Sequence, residues 1–81
     1  MRAVILITAP AKRSGDVVEK LRNLPEVVEA GAVFGDTDVF AVVDTPNLEG
    51  LDRLIMDQIQ TIEEVTTTRT HILIPSLHWT R

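Results

Sequence analysis

The chain opens with Ala3-Val4-Ile5-Leu6-Ile7-Thr8-Ala9, an unbroken β-branched and aliphatic run. Such a run predicts a strand covered on both faces, hence a central strand, and Pro10 ends it. Ser14 is then placed to cap a helix, with Asp16 in a first turn where the helix dipole favours a negative charge. Val17, Val18, Leu21 and Leu24 recur at helical spacing, and Pro25 closes that segment. From Val27 to Phe34 the pattern returns to strand, with Val28, Ala30, Ala32 and Phe34 on one face. Gly35-Asp36-Thr37-Asp38 is a compact polar turn, and Val39 to Val43 make a third strand, so the pair predicts a hairpin.

Thr45-Pro46-Asn47 opens the next helix, with proline at or near its first position. Leu48, Leu51, Ile55, Ile59 and Ile62 form its amphipathic stripe. Val65 to Ile74, rich in threonine and branched aliphatics, predicts a last strand ended by Pro75. A tail from Ser76 to Arg81 carries the single tryptophan, Trp79. The order β-α-β-β-α-β predicts an α+β, ferredoxin-like domain over residues 1–75, followed by the tail 76–81. Right-handed crossovers place both helices on one face of a four-stranded antiparallel sheet.

The other face then lacks a cover. Val4 and Leu6 oppose Ile5 and Ile7 along the first strand, and Phe40 and Val42 oppose Val39, Ala41 and Val43 along the third. Whichever set meets the helices, an apolar set looks outward, which is an aggregation hazard in a monomer. A second copy packed sheet to sheet, giving a dimeric αβ barrel, resolves it. The tail, with Leu77 and Trp79, is too short to cover four strands.

Composition narrows the partners. The 81 residues carry eight Lys+Arg against twelve Asp+Glu, a formal charge of −4, and no basic cluster larger than Lys12-Arg13. Direct nucleic-acid binding is therefore not expected, since phosphate recognition needs a basic face. No apolar run approaches the ~20 residues of a membrane span, and the N-terminus lacks a signal-peptide core, so the expected location is cytoplasmic without membrane attachment. The absence of cysteine excludes disulfides, thiolate metal sites and a cysteine nucleophile. A core this small points to self-association for extra stability.

Catalytic chemistry finds little support. Ser14, Ser76, His71 and His78 are the only serines and histidines. Ser76 and His78 have no third group to orient them, and His71 and His78 lack metal-ligand spacing. No cofactor and no metal are expected, and the chain is not expected to be an enzyme. The competing reading is a small dimeric αβ-barrel enzyme with a substrate cavity between helices and sheet, using His71 or Asp44.

The hairpin turn and the last strand are the better candidates for binding. Gly35, Asp36 and Asp38 suit a turn in their own right. The same turn could offer backbone N–H groups to a carboxylate and a carboxylate to an ammonium group, the two α-groups of a free amino acid. Two aspartates are a sparse ligand set for a divalent cation. Threonines at 66, 67, 68 and 70 favour a strand on propensity alone. Thr68 and Thr70, however, share a face with Ile72 and Ile74, and hydroxyls in an apolar row need partners.

These segments resemble a known family. Gly35-Asp36-Thr37-Asp38, the helix from Leu48 to Ile62, and the closing run Val65-Thr66-Thr67-Thr68-Arg69-Thr70-His71-Ile72-Leu73-Ile74 are similar in order and spacing to the effector-binding (RAM) domain of Lrp/AsnC transcription regulators. The resemblance spans about Ala3 to Ile74. It implies a sheet-to-sheet dimer assembled further, from tetramer to octamer, with an amino acid or small metabolite bound between dimers. It also implies that Gly35, Asp36, Thr37 and Asp38 contact the effector, with Thr68, Thr70 and Thr66 supplied by the closing strand. Full-length members carry an N-terminal helix-turn-helix domain, whereas this chain begins at the first strand with Met1, as a natural small protein would. The expected protein is a stand-alone sensor in the regulation of amino-acid metabolism that could co-assemble with full-length regulators. Val39 follows the second aspartate, where the family often has an aromatic residue.

Overall fold

The computed structural model describes residues 1–74. Its strands are β1 (Arg2–Thr8), β2 (Val27–Ala32), β3 (Val39–Asp44) and β4 (Thr67–Ile72), with helices α1 (Ser14–Arg22) and α2 (Leu48–Arg53) between them. They form one four-stranded sheet in the order β2-β3-β1-β4, with every neighbouring pair antiparallel. This is the ferredoxin-like βαββαβ arrangement, and β1 is central as its composition requires. The tail from Ser76, with Leu77, His78 and Trp79, and the stop at Pro75 lie outside the described residues.

Alternation along the strands separates the two faces. Ala3, Ile5 and Ile7 of β1 and Val39, Ala41 and Val43 of β3 are fully buried beneath the helices. Val17 and Leu21 of α1 meet them with Leu51, Leu54 and Ile59, and Val18, Leu24, Val27 and Ala30 pack around that core. Val4, Leu6, Phe40 and Val42 occupy the opposite face and are only half-buried. The outward apolar set that the alternation required is therefore Val4, Leu6, Phe40 and Val42.

Local details depart from the sequence pattern for physical reasons. Ser14 is the first residue of α1 and makes no cap; a 3-10 turn (Ala11–Arg13) leads into the helix, so that turn supplies the entry a capping side chain would give. At α2 the cap is Asn47, whose Oδ1 accepts the Gly50 N–H at 2.8 Å, which puts Pro46 before the cap. The α2 segment continues as a π-helical turn (Leu54–Ile59). Leu51, Leu54 and Ile59 are buried, Ile55 and Ile62 pack against the core, and Leu48, in the first turn of α2, is 59% exposed.

In β2 the register shifts between Val27 and Glu29. The extra residue, Val28, turns outward and is 55% exposed, so Val27, Ala30 and Ala32 take the helix-facing row instead of Val28, Ala30, Ala32 and Phe34. β2 ends at Ala32, and Phe34 lies in the following loop with its side chain fully in solvent. β4 is shorter than the run from Val65 to Ile74, with Thr66 just before it.

Candidate functional site

The last residues of β1 organise one corner of the sheet. On one side, the Asp38 N–H donates to the Ile7 carbonyl at 3.0 Å, and the Asp38 carbonyl accepts the Val33 N–H at 2.9 Å, closing the hairpin loop. The Asp38 side chain folds back, its Oδ2 accepting the Ala9 N–H at 3.0 Å. Asp38 is thus a structural pin as well as a charge, with Oδ1 left over for another donor. Gly35 holds φ at +145°, a region that only glycine enters without strain. Among the described residues, the N–H groups of Phe34, Gly35, Asp36 and Thr37 have no acceptor. A run of free backbone donors beside a carboxylate is a suitable cradle for a small zwitterion.

On the other side of β1, Thr66 clamps Thr8: its N–H and its hydroxyl both donate to the Thr8 carbonyl, at 2.8 and 2.9 Å. Thr68 is paired with Ile7 and Thr70 with Ile5, so both sit on the helix-facing side of the edge strand. Thr68 Oγ1 accepts from the Gln60 side-chain amide at 3.0 Å. One cross-sheet row runs Ala32, Val39, Ile7, Thr68. With strands about 4.8 Å apart, the hairpin turn and Thr68 are separated by roughly 10 Å. The fold therefore brings Asp38, Thr66 and Thr68 to one end of the sheet; Thr70 lies two residues further along the strand. Val39, by contrast, is fully buried in the core, so its size is set by packing.

Two residues were not singled out by sequence reasoning. Gln60 ends the π-helical turn and supplies the Thr68 contact. Glu64, with its side chain only 6% exposed, accepts from Arg13 Nη2 at 2.8 Å and Lys20 Nζ at 2.9 Å. Arg13 Nε also binds Asp16 Oδ2 at 2.6 Å, and the Glu64 carboxylate ties the approach to β4 to the turn before α1 through Arg13 and to the last turn of α1 through Lys20. The Lys20 hydrogen bond above all, then a backbone hydrogen bond and the Lys20 and Arg13 charges, hold the Glu64 carboxyl below its ordinary range, against the opposing effect of burial. No helical or strand spacing links residues so far apart in the chain, so no local pattern could have found this cluster.

The groups required by a barrel enzyme are not inside the layer between helices and sheet. His71 pairs with Val4 on the open face and is exposed, and Asp44 is exposed and bonded to Arg2 at 3.2 Å. The buried lining of that layer is aliphatic. An open groove of about 330 Å³ lies among Arg22, Val27, Val28, Glu29 and Ala30, at the end of β2 away from the hairpin turn. Among the described residues, no group of three or more His, Asp or Glu could hold a metal ion, and no helix is long and apolar enough to cross a membrane.

The fold is that of a class of ligand-binding domains. The family described as the Lrp/AsnC ligand binding domain matches residues 2–78, and the chain belongs to that family. A relative from Pyrococcus abyssi, named an uncharacterised HTH-type transcriptional regulator, is 36% identical over 77 residues, covering 95% of this chain and 49% of its own length. The regulatory protein AsnC of Escherichia coli K12 is 32% identical over 69 residues, covering 85% of this chain and 45% of its own. The chain thus spans about half the length of the curated relatives it matches. The crystal structure of FFRP-DM1 superposes with a TM-score of 0.85 at 38% identity, over 90% of this chain and 97% of that one. The two curated relatives are named as regulators, and the family to which the chain belongs is a ligand-binding domain rather than an enzyme family.

Proposed function

We propose that residues 1–75 form an oligomeric sensor of an amino acid or a related small metabolite, acting in the cytoplasm in transcription regulation of amino-acid metabolism. The observation that carries this reading is the corner at the end of β1. There, free backbone N–H groups from Phe34 to Thr37 stand beside the Asp38 carboxylate, with the Thr66 and Thr68 hydroxyls across one strand. The N–H cradle takes the α-carboxylate and the spare Asp38 oxygen takes the α-ammonium. Gly35 and Asp36 shape and charge the same turn, and Thr70 extends the hydroxyl row.

The half-buried face of Val4, Leu6, Phe40 and Val42 is covered by a second copy, sheet to sheet, and dimers assemble further, from tetramer to octamer. The effector lies at the seam between dimers and biases one assembly state by binding it more tightly than the other. The same face allows co-assembly with full-length Lrp/AsnC regulators, while the acidic chain itself contacts neither nucleic acid nor membrane. Isothermal calorimetry against the twenty amino acids tests the reading, with light scattering to follow assembly. At least one amino acid should bind, and Asp38→Asn should weaken it. No heat with any of them, and no change in assembly, would sink the sensor reading.

A further inference from the structure

The two hydroxyls nearest the corner have opposite hydrogen-bonding states. Thr66 donates its hydroxyl hydrogen to the Thr8 carbonyl at 2.9 Å, so only its lone pairs face a ligand. Thr68 Oγ1 instead accepts from Gln60 Nε2 at 3.0 Å, so its hydrogen points away from Gln60 and is available to donate. Gln60 reaches Thr68 because of the π-helical turn: its N–H bonds the Ile55 carbonyl at 2.8 Å, and the additional residue brings its side chain round onto the edge strand. Gln60 is itself exposed.

We infer that Gln60 is a positioning residue for the effector: it fixes the Thr68 hydroxyl as a donor, directed at an anionic oxygen of the bound molecule. The inference rests on the effector reading and deepens it: with the α-carboxylate on the N–H cradle of the turn and the α-ammonium on Asp38, Thr68, roughly 10 Å from the turn, donates to an oxygen carried by the effector's side chain. A ligand that matches both ends carries an amino-acid head for the turn and, on its side chain, an anionic oxygen that reaches Thr68. Orienting a hydroxyl before binding removes part of its ordering cost and excludes ligands that offer only donors there.

The test is a double-mutant cycle on the full chain, using the amino acid that gives the largest heat in the calorimetric screen. Gln60→Met should weaken binding about three- to tenfold and leave the thermal melt unchanged. In a Thr68→Val background the same substitution should have no further effect, which a merely structural role would not produce. Gln60→Glu, which can only accept from Thr68 and so turns the hydroxyl inward, should weaken binding more than Gln60→Met does. Unchanged affinity for Gln60→Met, or an equal loss in the Thr68→Val background, would overturn the inference while leaving the effector site standing. If Thr68→Val itself binds as tightly as the parent, or no amino acid binds, the effector reading fails and the inference falls with it.

Discussion

Asp38 and Ala9 are joined side chain to backbone at 3.0 Å, across the gap between the hairpin loop and the residue that ends β1. Removing the carboxylate strands a part-buried N–H and loosens the loop. Asp38→Ala should cost about 1–2 kcal/mol in urea unfolding. Asp38→Asn keeps an oxygen for the Ala9 N–H and should retain most of that stability. Because it removes the charge, it should still lose effector affinity, so the pair of variants separates the pin from the binding group.

Gly35 meets no obstacle in space, since nothing lies within 4 Å of an added Cβ, yet its φ is +145°. Gly35→Ala is therefore strained through the backbone alone, by about 1–3 kcal/mol. The loop should relieve that strain by rearranging. Broadened amide resonances for 34–37, together with a lower melting temperature, are the expected result.

Glu64 gives the domain an acid-sensitive joint. Its carboxyl is held below the ordinary value of 4.5 by Lys20 first, with its backbone contact and Arg13 adding to that. The folded state therefore binds fewer protons near that pH than the unfolded chain does. The Glu64 contribution is fully present above about pH 4.5 and is lost as pH falls through the lowered folded value. Urea midpoints of the parent should drop as pH is lowered from 5 to 3. Glu64→Gln should start from a lower midpoint at pH 7 and show a shallower fall, and parallel profiles would refute the assignment.

The half-buried apolar row on the open face predicts self-association. Val42 is half-buried on a face that no described element covers, so a charge there should be tolerated by the monomer and not by a sheet-to-sheet dimer. Val42→Glu should shift the protein to monomer in light scattering while its far-UV spectrum stays native. A parent that is already monomeric would refute the interface.

The topology and the split of β1 and β3 into two faces were legible in the sequence, because both follow from alternation and order. Alternation alone leaves open which set meets the helices; packing gives that place to Ile5 and Ile7 and leaves Val4 and Leu6 on the open side. In the α2 stripe Leu54 is buried and Leu48 is not: the π-helical turn that begins at Leu54 has no signature in a 3.6-residue pattern, and Leu48 lies in the exposed first turn. Phe34 continues the alternation of Val28, Ala30 and Ala32 in the sequence, whereas β2 ends at Ala32 and Phe34 belongs to the loop closed by Val33 and Asp38. At the site, the Gly35–Asp38 turn was visible as chemistry, but the Asp38 contact to Ala9 joins residues 29 apart. Gln60 and Glu64 act through tertiary contacts of the same kind, which propensity and spacing do not encode.

The two borders of the sheet differ in how well they could template another chain. β4 pairs with β1 over six consecutive residues without interruption, so its outer backbone groups stand in regular order. β2, at the opposite border, is kinked by its extra residue at Val28, which breaks that order. Unwanted lateral growth is thus discouraged at one margin by backbone geometry, and at the other it falls to Arg69 and the threonines of β4 to keep the fringe hydrated. A stack of such sheets would have a head and a tail.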